Sequence, residues 1–243
     1  MDQGSALGDS MLRPVRGHHA FESCVEQLAT AIRLGVYEHG SMLPPERELA
    51  ERLSVSRATL REAIAALRAA GFVTTHRGRG GGTVVDFRPE APGSSAIVDR
   101  PREELVDALD FRRIVEPGAA YAAAGRELTE TQKNTLRGAL DAVNAATDPA
   151  LHRQADSLFH LAIASLSASP LLIDAVTNVQ KSLHDMLNAI PVLDRNMDHS
   201  RKQHGAIAKA ILAGDAPKAR RAMESHCDDT AALLRGLLRE GER

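Results

Sequence analysis

The stretch Leu43-Pro44-Pro45-Glu46-Arg47-Glu48-Leu49-Ala50-Glu51-Arg52-Leu53-Ser54-Val55-Ser56-Arg57-Ala58-Thr59-Leu60-Arg61-Glu62-Ala63-Ile64-Ala65-Ala66-Leu67 reads as two short helices joined by a tight turn. Proline is tolerated in the first turn of a helix, and Leu49, Ala50 and Leu53 then share one face. Ser54-Val55-Ser56 is too short for anything but a turn, and Ser56 suits the N-cap of the next helix, with Leu60, Ile64 and Leu67 turned inward. Gly71 ends that helix.

Working outward, Phe21, Val25, Leu28 and Ile32 recur at helical spacing ahead of this pair, and Gly35 stands where their helix should stop. Beyond it, Phe72-Val73-Thr74-Thr75 and Thr83-Val84-Val85 are β-prone runs separated by glycine and arginine, which predicts a hairpin. Three helices and a hairpin make a winged helix-turn-helix, whose third helix enters the major groove of DNA. Arg57, Arg61 and Arg68 fall along one face of that helix, away from the apolar positions, where a guanidinium can fork onto a guanine edge or a phosphate. Thr59 lies in the same first turn, and Arg47 is placed to grip the flanking backbone. Arg77 and Arg79 stand in the wing among Gly78, Gly80, Gly81 and Gly82, which let the backbone come close to a groove.

Composition agrees with a folded globular protein and excludes other classes. The chain has 243 residues, 43% hydrophobic and 26% charged, so disorder throughout and collagen-like readings fail. No apolar run approaches the roughly 20 residues that span a bilayer, and the N-terminus lacks the pattern of a signal peptide, so a cytoplasmic protein is expected. The net charge of −2 argues against indiscriminate nucleic-acid binding. Residues 11–85 nonetheless carry ten arginines and no lysine against seven glutamates, and arginine is the side chain suited to bidentate recognition. The two cysteines, Cys24 and Cys227, are far apart and form no CxxC, which excludes a disulfide scaffold and predicts buried free thiols.

Residues 1–17 have no period and read as a mobile tail, 18–87 as the winged module, and 88–95, rich in turn formers, as a linker. Residues 96–243 show no strand-like alternation. Their alanine-rich helical patterns break at Asp148-Pro149, Ser169-Pro170, Ile190-Pro191 and Gly214, giving about six helices. The expected fold is mostly α, with an all-helical C-terminal bundle.

In that bundle Asp156 and His160 are four apart and face the same way, within reach of one ion. His204 accompanies Ile207, Ala208 and Ile211, and His226 accompanies Met223, Thr230 and Leu234, so both border stripes that should face inward. Three imidazoles and a carboxylate suit zinc, nickel or, with added waters, manganese. Neutral imidazoles bind metals and protonated ones do not, so occupancy is expected to fall through the histidine range of about 6–7. His152, four before Asp156, competes as a ligand, whereas His184 and His199 have no comparable partner. Arg112 offers either a cationic donor for a carboxylate or an ordinary helix ion pair with Glu116.

Two groups of residues resemble a known family. Leu43-Pro44-Pro45-Glu46-Arg47-Glu48-Leu49-Ala50, Ser56-Arg57-Ala58-Thr59-Leu60-Arg61-Glu62-Ala63, Leu67, Gly71 and the glycine-rich wing are similar to the GntR family of bacterial transcription regulators. The resemblance implies that Arg47, Arg57, Thr59 and Arg61 contact DNA and that the wing tip, with Arg77, Arg79 and Gly80, reaches the minor groove. Asp156-Ser157-Leu158-Phe159-His160 followed by His204 and His226, and Arg112-Arg113-Ile114-Val115-Glu116 before an alanine-rich helix, resemble the FCD ligand-binding domain of the FadR-type branch. This implies a bundle of six or seven helices with a divalent metal held by Asp156, His160, His204 and His226 and a small organic acid completing its coordination. It also implies a homodimer on a palindromic double-stranded operator. The founding member of the branch responds to a long-chain acyl-CoA, which keeps a lipid effector as the alternative. A metal-dependent hydrolase fused to a DNA-binding module is the reading of a different class, but no HExxH, GxSxG or P-loop is present, so the chain is expected not to be an enzyme.

Overall fold

A computed structural model of the chain describes residues 20–76, 81–89, 102–187 and 194–240. The proposed tail, the wing residues Arg77, Arg79 and Gly80, and most of the proposed linker lie outside the described residues. Two compact units are present, Met1–Thr30 with Gly40–Phe87, and Ala31–His39 with Arg88–Arg243.

The first unit has the expected order of elements. Helix α1 (Ala20–Arg33) buries Cys24 and Leu28 at helical spacing. Helix α2 (Glu46–Arg52) starts directly after Pro45 and buries Leu49 and Ala50. In α3 (Arg57–Ala69), Ser56 Oγ accepts the Thr59 amide at 3.0 Å, which satisfies one of the donors every helix start leaves open. Leu60, Ala63, Ile64 and Leu67 form its buried face. Gly71, at φ +77°, takes the left-handed conformation that turns the chain from α3 into the hairpin. Strands β1 (Val73–His76) and β2 (Gly82–Val85) pair antiparallel with Val73 opposite Val85 and His76 opposite Gly82. Val73 and Val85 are both buried, so one face of the ribbon packs inward and α3 packs on β1.

Among the described residues the second unit holds six helices: α4 (Arg102–Ala124), α5 (Glu130–Ala145), α6 (Pro149–Leu166), α7 (Pro170–Leu187), α8 (Asp194–Leu212) and α9 (Ala216–Glu240). The breaks at Asp148-Pro149, Ser169-Pro170 and Gly214 fall where the prolines and glycine place them, and the one expected at Ile190-Pro191 lies outside the described residues. Asp148 caps α6 by accepting the Ala150 and Leu151 amides at 2.9 Å, and Gly214 at φ +72° ends α8. A further break separates α4 from α5, where Thr129 and Gln132 form a reciprocal capping box. Helix α4 packs against α6, α7, α8 and α9, so its buried side faces the middle of the bundle. Phe159, Ile163, Ile207, Ile211 and Met223 anchor one apolar cluster beside it. Both cysteines are free and buried, as expected. No described helix is long and apolar enough to cross a membrane.

Candidate functional site

The polar side of α3 is exposed and arginine-rich. Arg57 and Arg68 are exposed, and Arg61 Nε donates to Glu46 Oε2 at 2.8 Å. Arg47 Nη1 pairs with Glu51 Oε1 at 3.2 Å. Both are surface pairs, worth about 0–1 kcal/mol, and a phosphate can replace either carboxylate. The Thr59 hydroxyl lies 2.8 Å from Ser56 Oγ, so this side chain shares in the cap of α3.

Inside the second unit, one donor atom each of Asp156, His160, His204 and His226 lies within 4.8 Å of the other three. Helix α6 supplies the first two, α8 the third and α9 the fourth. Asp156 Oδ1 is 3.3 Å from His204 Nε2, and Asp156 Oδ2 is 3.9 Å from His160 Nε2. All three imidazoles are buried. His152 is buried nearby on α6 but falls outside this donor set, and His199 is on the surface, 3.0 Å from Asp229.

The structure also surrounds the donor set with Arg112 and Glu116 and with residues that sequence spacing did not single out, Gln180 and Gln203. Arg112 forms the expected pair with Glu116, Nε to Oε2 at 2.9 Å, but this pair is buried against the donor set. Arg112 Nη2 stands 3.2 Å from His226 Nε2 and 3.4 Å from His160 Nε2, while its Nη1 is buried without a partner. Glu116 Oε2 is 3.0 Å from His160 Nδ1 and accepts from Cys227 Sγ at 3.6 Å, and Gln180 donates to Glu116 Oε1 at 2.6 Å. His226 Nδ1 is 3.1 Å from Gln203 Oε1, and Gln203 Nε2 donates to Asp229 at 2.6 Å. Outer partners of this kind fix which ring nitrogen carries the proton and leave the other free to ligate.

Electrostatics favour this arrangement as an ion site. Burial works against the Glu116 charge, but Arg112 and His160 overcome it and hold the carboxyl well below the usual range. Burial likewise opposes the Arg112 charge, and Glu116 more than restores it. Asp156 is lowered despite burial because His204, His160 and Arg112 face it. Burial pushes the Cys227 thiol up, so it stays protonated. His204 is lowered to about 4, chiefly by burial, with His160 and Arg112 adding to the effect, and His226 is held well below its ordinary range by the same first cause. His204 and His226 are therefore neutral and ready to ligate at neutral pH, and their own protonation falls below the range of about 6–7 expected from unperturbed histidine.

A stability consequence follows from the sign of that shift. Unfolded His204 takes up a proton near its ordinary value of 6.5 and the folded form only near 4. Stability is thus full above 6.5 and is lost as pH falls from there to about 4, by roughly 3 kcal/mol for this one residue. Melting of the metal-free chain across that range checks it, and a flat profile would show that His204 is not buried neutral.

Comparison with known proteins gives the family. The model of the FCD domain matches residues 107–229, and that of bacterial regulatory proteins of the gntR family matches residues 21–85. A protein of Escherichia coli (strain K12), named as a regulatory protein of an L-lactate dehydrogenase operon, is 34% identical over 201 residues, 78% of this chain and 76% of its own. The HTH-type transcriptional regulator LutR of Bacillus subtilis (strain 168) is 29% identical over 218 residues, 86% of this chain and 98% of its own. Among solved structures, E. coli McbR/YncC has the same fold, with a TM-score of 0.56 at 18% identity, over 91% of this chain and 99% of that one. An arginine-faced reading helix, a buried aspartate and histidine cluster and these relatives agree: the chain belongs to the GntR family of bacterial regulatory proteins, carries an FCD domain, and is a DNA-binding transcription regulator.

Proposed function

We propose that this regulator, of the FadR-type branch, responds to a small monocarboxylate bound at a divalent metal ion, and that the acid changes the grip of a homodimer on a palindromic operator. Asp156, His160, His204 and His226 hold the ion, for which zinc, nickel and manganese all suit the donors. When bound, it supplies positive charge and open positions for a carboxylate oxygen.

One observation carries the reading. Arg112 aims Nη2 at the ring nitrogens that face the donor set and leaves Nη1 buried and unpaired. A cation beside a cation site needs an anion between them, because an uncompensated buried charge is costly. With neutral imidazoles, a divalent ion and Arg112 bring three positive charges against the two negative ones of Asp156 and Glu116. One carboxylate balances the remainder, and Arg112 receives it as a charge-assisted donor. The E. coli relative's name refers to an L-lactate dehydrogenase operon, and a 2-hydroxy monocarboxylate has the right charge for this site. Glu116 is held by Arg112 and Gln180 and is not free to act as a base, so regulation rather than hydrolysis is the reading.

On the DNA side, Arg57, Thr59 and Arg61 read or grip the operator from α3, Arg47 holds the flanking backbone, and Arg77, Arg79 and Gly80 serve the wing. Arg57→Ala and Arg61→Ala should each weaken operator binding by about 1–3 kcal/mol with the fold intact. A base-reading arginine relaxes preference at one position, and a phosphate-binding one lowers the salt slope. Wild-type affinity in both variants, measured by fluorescence anisotropy on a selected operator, would overturn the DNA face. A melting screen of metals crossed with organic acids tests the sensing half: acids that stabilise only the metal-loaded chain are expected, and their absence would sink it.

A further inference from the structure

Helix α4 carries two functional faces. Arg112 and Glu116 point into the bundle, while Phe111, Ile114 and Tyr121 are 44%, 72% and 49% exposed. With Asp107 and Gly118 they recur at steps of three and four, so they form one stripe along the outer side of the helix. Gly118 is unexplained by the chain's own packing, because a Cβ added there would meet nothing within 4 Å. A glycine on an exposed helix face costs stability relative to alanine and gains nothing unless something approaches closely.

The stripe is complementary to itself. Turned end for end about residue 116, the midpoint of 111 and 121 and also of 114 and 118, it sets Phe111 against Tyr121 and Ile114 against Gly118. Aromatic then meets aromatic, and the most exposed aliphatic knob meets the hole. The same operation carries Asp107 onto position 125, next to Arg126, and among the described residues neither Asp107 nor Arg126 has a recorded ion-pair partner. Antiparallel packing also sets the positive N-terminal end of one α4 dipole toward the negative C-terminal end of its copy. A contact that pairs one patch with its own copy is what a two-fold interface requires.

We propose that the outer face of α4, through Phe111, Ile114, Gly118 and Tyr121, is the surface on which a second copy of this chain docks, antiparallel and centred near residue 116. The inference rests on the homodimeric reading above. It gives the regulator a direct mechanical link, because the helix that meets the second subunit also carries Arg112 on its nearly opposite side.

The test uses the full-length chain in sedimentation velocity. Ile114→Glu should weaken the dimer at least about 30-fold, the scale of an interface hot spot, with an unchanged melting curve because Ile114 is mostly exposed. Asp107→Arg and Arg126→Asp should each weaken it, and the two together should restore it. A mixture of Ile114→Cys and Gly118→Cys chains should form an intermolecular disulfide under mild oxidation, whereas neither alone should. That cross-link stands as the readout even if Ile114→Glu fails to fold. A dimeric wild type with Ile114→Glu equally dimeric, or cross-linking by Ile114→Cys alone, would overturn this face and register while leaving the homodimer standing. A wild type that is monomeric at all concentrations would overturn the homodimer itself.

Discussion

Replacing His204 or His226 by alanine should abolish stoichiometric binding of a divalent ion, while His152→Ala should leave one ion per chain. The reasoning is geometric. His204 and His226 bring donor atoms from α8 and α9 to the two that α6 supplies, whereas His152 shares α6 but not the cluster. Losing an outer hydrogen-bond partner of a ligand costs about 10–100-fold in affinity, and losing a ligand should cost more. The acid response should be lost with the ion, since the carboxylate then has no metal to complete. Basal operator binding should survive, because the arginines of α3 are untouched. Metal analysis of the purified variants decides: a full complement in His204→Ala and His226→Ala would refute the site.

The second large effect is expected at Glu116. Arg112 and Glu116 side chains are 3% and 1% exposed, so removing the carboxylate strands a guanidinium in the bundle. Breaking a buried pair in this way typically costs about 3–5 kcal/mol, whereas replacing both partners by apolar residues of similar size is often nearly neutral. Glu116→Ala should therefore lower the melting temperature by roughly 10 °C, and Arg112→Met with Glu116→Leu should regain most of it. The two variants separate structure from sensing. The double variant should fold yet lose its response to the acid, because no donor remains to receive the carboxylate. A Glu116→Ala chain as stable as wild type would mean that Arg112 is compensated elsewhere and is not held ready for an anion.

Particular residues show what could be read from the sequence. Ser56, the spacing of Leu60, Ile64 and Leu67, and Gly71 specified α3 because capping and periodicity are local. The prolines at 149 and 170 located two helix starts for the same reason. The boundary before α5 was equally local, since Thr129 and Gln132 have capping-box spacing, but it was overlooked among the alanines. Asp156 and His160 were legible as an i, i+4 pair, whereas choosing His204 and His226 over His152 needed the family resemblance. Glu116 was read only as a helix partner of Arg112. Much of α4 is alanine, and Ala119, Ala120, Ala123 and Ala124 give no contrast by which to tell the face that meets His160 from the face that meets solvent. Gln180 and Gln203 were invisible because their partners are 64 and 23 residues away. The lowered His204 value is not legible in the sequence because burial, its chief cause, is a tertiary property.

The pairing of α4 with α9 also has a meaning in the order in which the chain is made. Arg112 and His226 meet across 114 residues, so the surroundings of the donor set join the first and last helices of the bundle among the described residues. Such a long closure is slow, since loop entropy must be overcome before the contact gives anything back. The arginine-bearing reading helix needs only its neighbours in the first 87 residues and can fold while the rest is still being synthesised. During synthesis the helix-turn-helix is thus complete before the walls of the aspartate and histidine cluster have met, and a product truncated ahead of α9 would carry the first without the second.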